Sequence, residues 1–370
     1  MNNNVPQSEQ EHLSLSDIMK HYNIKQQEVY RAVAANYIPH SFRSSENKSF
    51  WDKNSILKCH LNTEEKKLLS DDSNFYTIII NEKDIDQQEQ LGSKEKFWCY
   101  ISGSDSKWLF KFNQEHTGQH WSEKVAAEIA EAVGMQHAPV ELSEFDGRFG
   151  SISESIARNG RQLIHGNQIL SGLGTKYDRD ARYNHKDHTI SNILESLTKY
   201  FKKEESTRLN ASLLFGYFLF DCLIGNTDRH HENWAISQRE SDGKLLGYIA
   251  PSFDHASSLG RELRDQNGDR KSREQILKHK NIPVYAQKAR GAIYLSSEDK
   301  KAATLFDLYR FLLENYPSLC QNMHERICTL QPNIFLRILN NVPNRLMSDT
   351  AKQFVMNFLT HNLTILKDMP

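Results

Sequence analysis

The sequence lacks long apolar runs, and none approaches the ~18 consecutive apolar residues of a transmembrane helix, so we expect no membrane partner. The polar N-terminus, residues 1–12, lacks the apolar core of a signal peptide, and we expect a disordered tail there. An excess of one charge is also missing, because 46 Lys+Arg and 47 Asp+Glu give a formal net charge of -1. That balance excludes a globally basic nucleic-acid coat protein but leaves room for a local DNA-reading module.

Cysteine is scarce as well. The 370 residues contain five cysteines and no CxxC pair. Four of the five lie among apolar or aromatic neighbours, which is typical of buried free thiols. We therefore expect a protein of the reducing cytoplasm. At about 150 residues per domain, the length predicts two or three domains.

Residues 13–60 carry a pattern of their own. Apolar residues recur at helical spacing on both sides of Asn23-Ile24, and a polar segment, 41–49, precedes Phe50-Trp51. The predicted order is helix, tight turn, helix, hairpin-like wing and helix. This segment resembles a winged helix-turn-helix of the MerR or excisionase type.

The same segment is modestly basic, with seven cations and four anions. If it binds DNA, side chains of the second helix face base edges and cations of the helix and the wing contact phosphates. A small helical interaction domain is the alternative, since the charge is not decisive. The predicted DNA contacts are Gln26, Gln27 and Tyr30 for bases, and Arg31, Arg43 and Lys48 for phosphates.

The remainder predicts an α+β fold. Residues 61–74 are charged and rich in Ser and Asp, which is typical of a linker. Strand patterns dominate 75–160 and helical patterns dominate 161–370, which indicates a small β-rich lobe followed by a larger, mostly α-helical lobe. We expect the turn 102–106 to be a solvent-exposed hairpin.

The densest polar block of the chain, 225–233, stands between an apolar helical pattern and a strand pattern. Asp228 and Asn233 lie five residues apart in it, and Asp254 ends the next predicted hairpin strand. An Asp, an Asn five residues on and a second Asp match phosphoryl transfer in protein kinases. There the first Asp accepts the proton of the acceptor hydroxyl, and the other two residues give oxygen ligands to Mg²⁺.

A kinase also needs a cation on the phosphates. Lys111, between the apolar Phe110 and Phe112 on a predicted strand, is our candidate. A carboxylate of the following helix must orient it. We prefer Glu123 for that role, with Glu128 as the second choice.

These residues resemble the HipA-like serine/threonine kinases of bacterial toxin–antitoxin systems, over about 92–366. The most specific piece is Ile-Gly-Asn-Thr-Asp-Arg-His-x-x-Asn, residues 224–233, and the segments 121–123 and 252–260 resemble a helix start and a metal-binding turn of the family. The resemblance implies a two-lobed kinase-like fold, ATP and Mg²⁺ as cofactors, Asp228 as base and Asn233 and Asp254 as metal ligands. It also implies an antitoxin chain as a possible partner. The implied nucleotide-binding residues are Lys111, Glu123, Gly92, Ser93, Glu154 and Ile156.

Two departures from the family stand out. The phosphate loop has one glycine in its nearest match, 92–96, and residues 13–60 replace the usual N-terminal subdomain. We therefore predict an ATP- and Mg²⁺-dependent Ser/Thr kinase, a toxin or stress-regulatory enzyme acting on an unidentified protein substrate, fused to a DNA-binding module. Two alternatives remain: a transcriptional regulator whose kinase-like domain senses nucleotide, and a small-molecule phosphotransferase.

Overall fold

The computed structural model describes residues 12–70, 75–89, 95–158, 160–174, 177–180, 184–241, 243–266 and 272–369. The chain divides into two compact units. One holds the residues up to Asn113 with Val140–Ser155 and Asn340–Pro343, and the other holds Gln114–Pro139, Ile156–Leu339 and the residues from Asn344 onwards. Among the described residues, no helix is both long and apolar enough to cross a bilayer. The predicted tail lies outside the described residues except for His12.

The first unit opens with seven short elements: β1 (His12–Ser14), α1 (Leu15–Tyr22), α2 (Gln26–Ala34), β2 (Phe42–Arg43), β3 (Ser49–Asp52), α3 (Lys53–Leu57) and α4 (Thr63–Ser70). The three strands form an antiparallel sheet in the order β1-β3-β2. A capping box of Ser14 and Asp17 begins α1, and Asn23, at a φ of 51°, ends it and turns the chain into α2. From α1 to α3 the elements follow the predicted order.

The predicted linker at 61–74 is largely helical, because α4 occupies most of it. The charged residues that suggested a linker, such as Glu64 and Lys67, are exposed, while Leu69 is fully buried. Leu69 packs in one cluster with Ile18 and Trp51. The segment predicted as a linker therefore contains a helix, with a charged face toward solvent and Leu69 packed on the other face. Residues 71–74 lie outside the described residues.

A six-stranded sheet forms the rest of the first unit. Its order is β4-β8-β9-β7-β6-β5, with β4 parallel to β8 and every other pair antiparallel. The aromatic side chains of its core include Phe97 and Phe110, stacked with ring centroids 4.8 Å apart. The strands are β4 (Thr77–Ile80), β5 (Ile85–Glu89), β6 (Lys96–Tyr100), β7 (Lys107–Phe112), β8 (Val140–Phe145) and β9 (Arg148–Glu154).

The turn between β6 and β7 is not the solvated hairpin that we expect from the sequence. Ser104 is fully buried, and its carbonyl accepts hydrogen bonds from Arg43 Nη2 (2.9 Å) and Ser49 Oγ (3.1 Å). The Asp105 carboxylate accepts the backbone N–H of Ser49 at 2.7 Å. The N-terminal strands therefore anchor on this turn, a non-local contact that serine-rich turn chemistry does not reveal.

Helix α2 packs on the same sheet. Tyr30 joins the aromatic core beside Trp108, and its hydroxyl donates to the buried Glu141 carboxylate at 3.0 Å. Gly103 has a φ of 87°, and a Cβ there would lie 2.8 Å from the Tyr30 Cα. That close approach and the positive φ both require glycine at this turn.

The second unit is mostly helical, as predicted. Its elements are α5 (Gln119–Ala132), β10 (Gln162–His165), α6 (Gly166–Ser171), α7 (Ile190–Phe201), α8 (Glu204–Ile224), β11 (Ala235–Ser241), β12 (Lys244–Ile249), α9 (Arg273–Lys278), α10 (Ile282–Gln287), α11 (Leu305–Asn315), α12 (Pro317–Thr329), α13 (Pro332–Asn340) and α14 (Asp349–Lys367). The strands form an antiparallel sheet in the order β10-β11-β12. Its α5 is the helix expected after the Lys111 strand, and its α8 is the apolar helical pattern predicted before the polar block 225–233.

Candidate active site

The loop that leaves α8 is fixed by that helix. Gly225 ends α8 at a φ of 68°, and a Cβ there would lie 2.5 Å from the Phe358 ring, so glycine is required. Asn226 then bridges helix and loop: its Nδ2 donates to Asp221 Oδ1 (2.8 Å), and its Oδ1 accepts the backbone N–H of Asp228 (3.1 Å). The backbone of Asp228 is thereby tied to the buried C-terminal part of α8.

Asp228 presents its carboxylate to solvent, because its side chain is 24% exposed. Its Oδ2 accepts the Ser257 hydroxyl at 3.3 Å, and His230 Nε2 lies 4.0 Å from Oδ1. Asn233 Nδ2 donates to the backbone carbonyl of Asp228 at 2.7 Å. This last bond uses the amide nitrogen of Asn233 and so fixes which way its amide oxygen points.

Arg229 links this loop to the next predicted site segment. Its Nε and Nη2 donate to the two oxygens of Asp221 at 2.7 and 2.9 Å, a bidentate buried pair. Its Nη1 donates to the carbonyls of Asn233 (2.6 Å) and Phe253 (3.0 Å), and Phe253 directly precedes Asp254. Burial alone lowers the pKa of Arg229, but the Asp221 carboxylate outweighs it and raises the pKa above its usual value. The Arg229 guanidinium therefore binds the backbone of one predicted metal ligand, Asn233, and the backbone of the residue that precedes the other, Asp254.

Asp254 adopts a left-handed conformation, with a φ of 58°. Such a conformation costs a non-glycine residue about 1–3 kcal/mol and clusters at functional sites. The next N–H, that of His255, donates to Glu123 Oε1 at 2.9 Å, and His255 Nε2 is hydrogen-bonded to Ser252 Oγ at 2.7 Å. The buried Glu123 therefore anchors α5 to the turn that presents Asp254.

That anchoring role of Glu123 is one that the sequence did not suggest. Its predicted role, orienting Lys111, remains a prediction, because the two residues belong to different units. The second choice, Glu128, forms an ion pair of 2.6 Å with the buried Lys124 one helical turn away.

The predicted nucleotide-binding residues of the first unit lie on two neighbouring strands. Lys111 is on β7, on the face opposite the buried Phe110 and Phe112, and pairs in register with Ser151 of β9. Glu154 is the last residue of β9 and is buried. The chain passes into the second unit at Ile156. Gly92 and Ser93 lie outside the described residues.

Three of the six predicted DNA contacts point into the protein. Tyr30 and Arg31 are 5% and 6% exposed and share the Glu141 carboxylate, at 3.0 and 3.9 Å. Arg43 Nη2 donates to backbone carbonyls of the β6–β7 turn, and its guanidinium lies over the Tyr100 ring. In this structure the three side chains use their polar groups within the protein, and DNA contact by them stays a prediction. The side chains that remain at the surface are Gln26, Gln27 and Lys48.

The Arg229–Asp221 pair was missed at the sequence level, although a signal was present. Asp221 is the one charged residue in the apolar stretch 209–224. A carboxylate in a buried helix needs a cation or a dense set of donors. Arg229 follows just past the end of that helix and forms the ion pair with Asp221.

With this geometry in place, comparison with protein families matches the HipA-like C-terminal domain over residues 89–307. The chain belongs to the HipA-like C-terminal domain family. The match includes β6, β7, the Asp228 loop and the Asp254 turn. It begins after residues 13–60, so those residues are not part of the family assignment.

Among solved structures, the proinflammatory kinase CtkA of Helicobacter pylori aligns with a TM-score of 0.63 at 20% identity. The alignment covers 79% of this chain and 97% of CtkA, which makes the fold kinase-like. HipA of Shewanella oneidensis MR-1, determined with HipB and operator DNA, aligns with a TM-score of 0.49 at 14% identity over 95% of this chain and 80% of HipA. The comparison with curated proteins gives no match.

Proposed function

We propose that this protein is an ATP- and Mg²⁺-dependent serine/threonine kinase of the HipA-like type. The observation that carries the proposal is the buried Arg229, which holds the loop of Asp228 and Asn233 and the turn of Asp254 through one guanidinium. A merely structural loop has no need to hold a partly exposed carboxylate, an oriented amide and an Asp in the left-handed conformation from one buried cation.

In this proposal Asp228 is the general base. Its carboxylate is accessible and lies beside the Ser257 hydroxyl. Its backbone N–H and carbonyl are fixed by Asn226 and Asn233. It accepts the proton of the acceptor hydroxyl as the phosphoryl group is transferred.

The donor set fits magnesium. Asn233 and Asp254 offer an amide oxygen and a carboxylate, the hard oxygen ligands that Mg²⁺ prefers. When bound, MgATP supplies the phosphoryl group and the metal neutralises phosphate charge. We assign Lys111 to the phosphates, and Gly92, Ser93, Glu154 and Ile156 to further nucleotide contacts.

The biological setting is also proposed. A toxin or stress-regulatory kinase of the cytoplasm, with an antitoxin partner and a protein substrate, agrees with the family and with five free cysteines. DNA binding by 13–60 now depends on Gln26, Gln27 and Lys48. A transcriptional regulator that only senses nucleotide would not need Asp228, and a small-molecule phosphotransferase would use the same three residues on another hydroxyl.

Incubation with γ-labelled ATP and Mg²⁺, alone and with a cell lysate, tests the proposal. We expect label on a protein Ser or Thr, and Asp228→Asn should lower the transfer rate by about 10² to 10⁴ while MgATP affinity stays near that of wild type. Arg208→Ala, at an exposed position of α8, is the control. Absence of transfer to any acceptor, or more than half of the activity in Asp228→Asn, would refute the assignment.

A further inference from the structure

A cavity of about 710 Å³ opens in the second unit beside the proposed base. Thr227, which precedes Asp228, lines it, and so does Ser257, whose hydroxyl donates to Asp228 Oδ2 at 3.3 Å. The Thr227 N–H is also bonded to the Ser257 carbonyl, at 3.2 Å. One end of the cavity therefore reaches the carboxylate that would receive the acceptor hydroxyl.

The charge of the cavity is strongly asymmetric. Three lining cations, Arg264, Lys288 and Arg290, are exposed. Among the lining residues that the structure describes, Glu262 is the one carboxylate, and it accepts the Tyr285 hydroxyl at 2.6 Å. The cations lie on two segments, Arg264 after Gly260 and the other two just past the end of α10, and Arg290 Nη1 also donates to the Ala302 carbonyl at 2.8 Å.

A further cation stands at the catalytic end. Arg261 Nη2 donates to Ser257 Oγ at 3.1 Å, and that same hydroxyl donates to Asp228. An acceptor that approaches Asp228 from the cavity would thus pass a fourth positive group, Arg261, before reaching the base.

Part of the cavity wall is apolar. Leu263 and Ile276 are buried and line the cavity together with Phe358, whereas Val284 is 48% exposed at its side. A volume of this size is in the range of pockets that hold a small ligand or a few side chains. A cavity with an apolar part of its wall and several lining cations suits a peptide segment that carries both an apolar group and several anionic groups.

We propose that this cavity is the acceptor-binding subsite and that it selects polypeptide segments in which the Ser or Thr is flanked by acidic residues. The inference rests on the proposed function in taking Asp228 as the base. A polypeptide fits better than a nucleic acid because the carboxylate of Glu262, on the cavity lining, can accept a peptide N–H, whereas a phosphate backbone has no N–H to donate to it.

The first test is direct binding, which needs no catalysis. Fluorescence anisotropy with the full-length chain compares three labelled Ser-centred peptides whose flanks are Glu, Ala or Lys. We expect the Glu peptide to bind about tenfold more tightly than the Ala peptide, with an advantage that shrinks in salt, as for rim charges. Arg264→Glu/Lys288→Glu should remove that preference. The matched control is Arg208→Glu/Arg337→Glu, which reverses two exposed charges that do not line the cavity.

Equal binding of the three peptides, or an unchanged preference in Arg264→Glu/Lys288→Glu, would overturn the inference. So would tighter binding of a single-stranded oligonucleotide of equal charge. The cationic double variant and its control should share one urea midpoint, which separates a lost site from a lost fold.

The second test is transfer from γ-labelled ATP to the same peptides. Preferential labelling of the Glu peptide, lost in the cationic double variant but with MgATP affinity retained, supports the inference. Equal labelling of all peptides overturns the inference and leaves the kinase proposal standing. Selective binding of the Glu peptide without transfer to any acceptor refutes the kinase proposal and leaves an acidic-peptide site.

Discussion

Two buried arginines show how differently the two units use the same side chain. Arg229 in the second unit makes a bidentate pair with Asp221 and donates to the carbonyls of Asn233 and Phe253. Arg31 in the first unit donates to the Leu69 carbonyl at 3.3 Å and lies 3.9 Å from the Glu141 carboxylate.

The consequence for the neighbouring residues is opposite. Arg229 satisfies backbone groups of the loop, which leaves the Asp228 carboxylate accessible. The neighbouring Tyr30 is buried and donates to Glu141, so its polar group is used in packing. The half-buried Arg43 donates to carbonyls of the β6–β7 turn. Arg229 therefore fixes the backbone of the Asp228 loop, whereas Arg31 joins α2 to the Leu69 carbonyl and the Glu141 carboxylate.

The largest effect should come from removing the arginine of the second unit. Arg229→Met leaves the Asp221 carboxylate buried without its cation, which typically costs about 3–5 kcal/mol of the free energy of unfolding. Urea denaturation followed by fluorescence measures the loss. Arg229→Met/Asp221→Leu should recover part of that stability but little transfer activity, because the carbonyls of Asn233 and Phe253 still lose their donor. Full stability in the single variant would contradict the bracing role.

Asp254→Ala should act mainly on nucleotide. Loss of an anionic ligand in a partly buried site costs about 2–5 kcal/mol, so we expect MgATP to bind about 100-fold more weakly. Calorimetry with ATP, with and without Mg²⁺, measures this, and the magnesium dependence should fall with the affinity. Asp228→Asn is the matched comparison, since it removes a neighbouring carboxylate but should keep the affinity. Equal MgATP affinity in Asp254→Ala and wild type would exclude Asp254 as the metal ligand.

The sequence allowed prediction of those elements whose signal is local. Three examples are the strand alternation at Lys107–Phe112, the apolar run of α8 and the spacing of Asp228 and Asn233. Each of these patterns is contained in a short stretch of sequence, and the structure has the strand and the helix where they were expected. The α+β prediction follows from the same local patterns. Roles that depend on two distant residues, such as Glu123 at the His255 N–H, have no such signal.

The N-terminal segment shows the limit most directly. Helix spacing predicted α1 and α2, yet the direction in which Tyr30 and Arg31 point depends on Glu141, more than a hundred residues away. A basic residue on a short helix has the same sequence pattern whether it faces DNA or an internal carboxylate. From the sequence of α2 alone, a role of Tyr30 and Arg31 at the surface cannot be distinguished from a role in packing, because the deciding partner, Glu141, lies on β8.

Removing the Tyr30–Glu141 hydrogen bond of α2 should cost less free energy of unfolding than removing Arg229. Tyr30→Phe removes one donor from the buried Glu141, and we expect a loss of about 1–2 kcal/mol in the free energy of unfolding. Gln27→Ala, on the exposed face of the same helix, should stay within about 0.5 kcal/mol of wild type. Urea midpoints of the two variants decide. Equal midpoints would mean that the Tyr30–Glu141 bond adds nothing to the packing of α2.

The smallest effect concerns DNA, where Lys48 and Arg43 make a matched pair of cations on the predicted wing. Lys48 is exposed, with Glu46 at 3.0 Å, whereas Arg43 donates to the carbonyls of Ile101 and Ser104. If residues 13–60 bind DNA, Lys48→Ala should lower the slope of log affinity against log salt by about 0.9, the value for one lost phosphate contact.

Arg43→Ala should leave that slope unchanged, and Gln27→Ala should relax base preference at one position rather than alter the slope. Mobility shifts with the protein's own upstream DNA at several salt concentrations measure all three. A lower slope in Arg43→Ala would show that the arginine leaves its carbonyls to bind DNA. If the wild-type chain shifts no upstream fragment even at low salt, residues 13–60 serve to brace the β6–β7 turn and the DNA-binding prediction fails, while the kinase proposal, which uses none of them, is unaffected.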